Sequence, residues 1–63
     1  MMYRIMYRFK HMRRSESAVI WSDEENDLVE ARFASREEAM PLLNSMKEAG
    51  GDELASARIE RIR

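Results

Sequence analysis

An α+β fold is what this 63-residue sequence predicts: a three-stranded antiparallel meander, one helix packed on one of its faces, then a fourth, C-terminal strand. Three observations carry that prediction. Residues 3–10 alternate apolar and polar side chains with a period of two. Residues 35–51 hold a capped amphipathic helix. Polar clusters rich in turn formers separate the short apolar runs between them. The length allows one domain, residues 1–63, with a small core, because a chain of this size buries only about 60% of its unfolded surface.

In the first segment Tyr3, Ile5, Tyr7 and Phe9 share one face, and Arg4, Met6, Arg8 and Lys10 the other. That is a half-buried strand with an aromatic inner side. Residues 11–17 are polar and read as a connection. Ala18-Val19-Ile20-Trp21 has the β-branched and aromatic content of a second strand. The stretch SDEEND, residues 22–27, is dense in side chains that bond their own backbone and predicts a turn. Val29, Ala31 and Phe33 then alternate with Leu28, Glu30 and Arg32, a third strand. Two hairpins in succession make the meander.

The helix is predicted from about residue 36 to 49. Ser35 and Glu38 form a capping box, each side chain serving a free backbone N–H of the other. Ala39, Leu42, Leu43 and Met46 make one apolar stripe, while Glu37, Asn44, Ser45, Lys47 and Glu48 face away. Gly50 and Gly51 suit a C-terminal cap. Pro41 breaks the pattern: at the sixth helical position it lacks the N–H that would bond Glu37, a loss of about 3 kcal/mol in a straight helix. A bend that fits the helix to a twisted sheet is the expected accommodation.

The end, DELASARIERIR, has two readings. Leu54, Ala55, Ile59 and Ile62 fall within one helical arc, which would make it a second helix. As a strand it turns Ala57 and Ile59 inward and Ile62 outward with Arg58 and Glu60. The order of elements resembles small bacterial and phage domains that close with a strand, and a strand is the prediction adopted. A second resemblance rests on ARFASREEA at 31–39. Following three strands, it is similar to the arm-type DNA-binding module of tyrosine recombinases, matched over residues 3–49. That likeness implies a sheet facing DNA and a helix behind it. The family's groove-facing strands are basic, whereas residues 22–30 here read SDEENDLVE.

Charge is segregated. Residues 1–14 carry Arg4, Arg8, Lys10, Arg13 and Arg14 with no acid, and residues 15–30 carry Glu16, Asp23, Glu24, Glu25, Asp27 and Glu30 with no base. Such blocks either attract one another as neighbouring strands or serve two partners. With no cysteine, no apolar run near the length of a membrane span and no signal-peptide core, the expected setting is cytoplasmic and soluble. His11 is the one histidine and has no serine or carboxylate at triad spacing. DEEND lacks the glycine and terminal glutamate of a calcium loop. No glycine loop opens a helix to cradle phosphate. The chain is therefore expected to be no enzyme, and to hold no cofactor and no metal.

Binding remains. The sheet face away from the helix is expected to collect Met6, Leu28, Ile20 or Trp21, and Ile62, set among Arg4, Arg8, Arg32 and Arg58. An apolar patch ringed by arginine predicts a protein-interaction module of bacterial or phage type, self-associating as a homodimer or meeting another protein. The alternative is a nucleic-acid binder using Arg4, Arg8, Lys10, Arg13 and Arg14 with aromatic stacking. The net charge of −1 counts against it.

Overall fold

In a computed structural model covering residues 1–63, the alternating first segment is the centre of the fold. β1 (Met2–Phe9) pairs antiparallel along its whole length with β5 (Leu54–Ile62), in the register Arg4 to Glu60, Ile5 to Ile59 and Tyr7 to Ala57. The C-terminal segment is thus a strand and not a second helix. Its helical arc loses to the edge that β1 offers, which places Ile59 opposite Ile5 and Glu60 opposite Arg4. A register shift falls between Arg8 and Phe9, after which Phe9 pairs with Leu54.

The second edge of β1 is shared between two pieces of chain. β2 (Glu16–Ser17) pairs with Tyr7 and Met6, and Ala18 then donates its N–H to the carbonyl of Ile5 at 2.9 Å. Nearer the N-terminus, Tyr3 and Phe33 exchange both backbone bonds, at 2.8 and 2.9 Å. Because the returning chain takes the groups of Tyr3, the outgoing chain must quit β1 at Ala18. It runs out as β3 (Val19–Ser22), turns, and comes back as β4 (Asp27–Glu30). These two form a separate antiparallel sheet, Ile20 opposite Val29 and Trp21 opposite Leu28. The α+β class, the single helix and the closing strand match the sequence reading. The meander, however, is divided between two sheets, and Val29 lies in the hairpin instead of on the covered face.

α1 (Arg36–Gly50) starts where predicted, with Ser35 Oγ accepting from Glu38 N–H at 3.2 Å and Glu38 Oε2 accepting from Ala34 N–H at 3.2 Å. The return bond reaches Ala34, one residue before the cap. The helix is unbroken through Pro41, whose ring is exposed. Gly51 ends it at φ 52° and ψ −137°, its N–H on the carbonyl of Lys47, a conformation open to glycine almost alone. A short 3₁₀ turn, Gly51–Glu53, leads into β5.

Five residues are buried: Ile5, Ala31 and Ala39 completely, and Ala18 and Leu43 almost so. Ala39 lets the helix approach β1, and Tyr7, Phe33, Leu42, Met46, Ala57 and Ile59 pack around this centre while staying partly open. The cost is area. A folded monomer of this 7.5 kDa mass exposes about 4,250 Å². This chain exposes 4896 Å². No helix is long and apolar enough to cross a membrane.

Candidate functional site

The five apolar residues expected on one open sheet face do not form one patch. Met6 and Ile62 do lie on the side of the main sheet away from α1, but the cross-strand row Arg4–Glu60 runs between them. Arg4 donates from Nε and Nη2 to Glu60 Oε1 at 3.1 and 2.6 Å, and from Nη1 to Glu30 Oε2 at 3.4 Å. Ser17 Oγ donates to Glu30 Oε2 at 2.6 Å, Arg32 Nε to Glu30 Oε1 at 3.0 Å, and Arg58 Nη2 to Glu60 Oε2 at 3.3 Å. Met6 is half-buried beside this network, its sulfur 3.4 Å from Ser17 Oγ. Of the arginines expected to ring a patch, Arg4, Arg32 and Arg58 therefore neutralise carboxylates instead.

Electrostatics follow from that arrangement. The Arg4 hydrogen bond is the main reason the Glu60 carboxyl sits below its ordinary range. For Glu30 the leading cause is the Ser17 hydroxyl, with Arg32 and Arg4 adding to it. Arg4 is raised in turn, chiefly by its bond to Glu60. In each group partial burial opposes the shift. The network ties β1, β2, β4 and β5 together and fixes the base of the hairpin.

Beyond that base the hairpin stands clear. Val19, Ile20, Trp21 and Leu28 are each about half exposed or more, with Trp21 at 56% and Leu28 at 58%. Trp21 and Leu28 sit opposite one another, so their side chains leave the same face. The turn is held internally. Glu25 N–H donates to Ser22 Oγ at 3.3 Å, Trp21 Nε1–H to Asp23 Oδ1 at 3.0 Å, and Asn26 takes the left-handed φ of 52° that asparagine tolerates. Where β3 leaves the main sheet lies an open apolar groove of about 260 Å³, lined by Tyr7, Phe9, Ala18, Val19, Leu42 and Met46. Sequence reasoning missed this groove. Its signal was the mismatch between four aromatic or aliphatic positions on β1 and a helix stripe too short to cover them all.

The five basic candidates also separate. Arg4 is occupied as above. Arg8 Nη1 donates to the carbonyl of Met12 at 3.1 Å and so braces the loop after β1. Lys10, Arg13 and Arg14 are exposed, and no salt bridge involves them. The acids Asp23, Glu24, Glu25 and Asp27 are likewise exposed and unbridged, and no three of them come close enough to share a metal ion. The basic and acidic blocks thus meet once, where Arg4 bonds Glu30 at 3.4 Å, while Lys10, Arg13, Arg14 and the acids of the turn form no salt bridge.

No protein-family model, curated protein or solved structure matches the chain. The likeness to the arm module of tyrosine recombinases accordingly rests on the junction at residues 31–39 alone.

Proposed function

We propose that this protein is a non-enzymatic, cytoplasmic protein-interaction module that self-associates, and that its contact surface is the hairpin β3–β4. The observation that carries this reading is the exposure of Trp21 and Leu28, an opposed pair on the hairpin, each more than half open to solvent. An isolated two-stranded hairpin is at best marginally stable in water. Here Ile20, Trp21 and Leu28 stay about half exposed or more, and a second molecule would complete their burial. The total surface supports the same reading, since it exceeds that of an ordinary monomer of this mass by about 650 Å². An interface of standard size takes about 800 Å² per partner.

The contact surface differs from the one that alternation suggests. Met6 and Ile62 belong to the charged face of the main sheet, whereas Ile20, Trp21 and Leu28 belong to the hairpin. Trp21→Lys should therefore abolish self-association with the fold retained, and Met6→Glu should leave it in place. Sedimentation at micromolar concentration, with circular dichroism as the control for folding, distinguishes the two. Dissociation by Met6→Glu and not by Trp21→Lys would return the interface to the main sheet.

A further inference from the structure

The groove and the hairpin make a self-complementary surface. Val19 lines the groove, and Trp21, two residues on, leaves the strand on the same side. Leu28 stands beside it across the ladder. One face of the molecule therefore carries a hole at one end and an apolar knob at the other. A surface that holds both a feature and its complement closes on a copy of itself about a two-fold axis.

The groove is also shaped for a side chain. Sites for small ligands run to about 300–1,000 Å³ and place a few polar groups among apolar walls. This groove is smaller, at about 260 Å³, and its lining side chains are apolar except for the Tyr7 hydroxyl. One hydroxyl is little to orient a polar ligand. An indole with a leucine beside it matches both its size and its chemistry.

Charge sets the direction of docking. The groove runs to Phe9, and the chain after Phe9 is the exposed basic loop with Lys10, Arg13 and Arg14. The chain after Trp21 is the exposed acidic turn with Asp23, Glu24, Glu25 and Asp27. Both blocks are unbridged within the chain. With Trp21 of one copy over the groove of another, the acidic turn continues toward the basic loop beyond Phe9. The two-fold axis repeats the contact in the opposite sense.

Resting on the self-association reading above, we propose that two copies pack their hairpins antiparallel, each seating Trp21 and Leu28 in the other's Tyr7–Phe9–Val19–Leu42–Met46 groove. Each acidic turn then meets the partner's basic loop. Rim pairs of this kind are individually weak and screened by salt. Together they fix the register and disfavour the parallel arrangement, which would set like charges face to face.

A charge-swap experiment tests this. One variant carries Arg13→Glu and Arg14→Glu, the other Glu24→Arg and Glu25→Arg. All four side chains are exposed and make no internal hydrogen bond, so both variants should fold. Each alone should self-associate about tenfold or more weakly than the unmodified protein, because most rim contacts become repulsive. An equimolar mixture should recover near-normal affinity as a heterodimer, since both contacts are again of opposite sign. Trp21, the single tryptophan, should shift its emission to the blue in that mixture as the indole leaves water.

Variants that dimerise like the unmodified protein, or a mixture with no recovery, would overturn the antiparallel arrangement and leave self-association standing. An emission that stays that of an exposed indole in a proven dimer would overturn seating in the groove. An unmodified protein that remains monomeric up to millimolar concentration would overturn both this arrangement and the reading on which it rests.

Discussion

Ala31 donates its backbone N–H to the carbonyl of Ala18 at 2.9 Å, and both side chains are buried. This pair is the neck of the hairpin. Ala18 is bonded on its other side to Ile5, so one residue joins the main sheet to the projecting one. Small side chains are what the neck admits. A larger residue at position 31 must displace the packing around it. Ala31→Leu is expected to destabilise by about 1–3 kcal/mol, the range for overpacking a tight site. Urea unfolding with an unchanged slope would measure it.

Ile5 is the largest side chain removed completely from water, on the strand that touches every other layer. Truncation there leaves a cavity that β5 and α1 cannot close. Ile5→Ala should cost about 2–5 kcal/mol, comparable with the whole stability of a small domain, about 5 kcal/mol. The variant should lose most of that margin, read by circular dichroism as a melting temperature far below that of the unmodified protein.

Acid should weaken the molecule through Glu30 and Glu60. Their carboxyls titrate below the ordinary value of 4.5 in the folded chain, held there chiefly by Ser17 and Arg4 respectively. The unfolded chain therefore binds these protons first as the pH falls. The stability they contribute is complete above 4.5 and is lost below it, as the pH falls through the folded values. Thermal melts from pH 7 downward should drop in that window. In the Glu30→Gln, Glu60→Gln double variant the drop should be shallower.

Pro41 removes one N–H from the middle of α1, and its exposed ring makes no contact in the core. Alanine restores the bond to Glu37 and the better propensity. Against this, proline restricts the unfolded chain, a benefit that alanine forfeits. The balance should favour Pro41→Ala, read as a higher melting temperature.

Local signals made most of these elements legible. The period of β1, the Ser35 cap and the Gly50-Gly51 stop are each decided by a few neighbouring residues, and each stands where it was read. What failed was non-local. Nothing in Ala18-Val19-Ile20-Trp21 says that the chain must quit the sheet at Ala18. That depends on Phe33 taking the backbone groups of Tyr3. Assigning Met6 to an apolar patch failed for a similar reason, because Arg4 and Glu60 become neighbours only when β5 pairs with β1. Leu28 and one of Ile20 or Trp21 are legible as uncovered, but as part of the open face of a single sheet and not of a projecting hairpin.

Sedimentation equilibrium of the unmodified protein, from low micromolar to millimolar concentration at low salt, tests the hairpin interface most directly. A reversible rise from the chain mass of 7.5 kDa to twice that value is expected, with Trp21→Lys remaining at the chain mass throughout. A mass that stays at 7.5 kDa for the unmodified protein would contradict self-association through the hairpin.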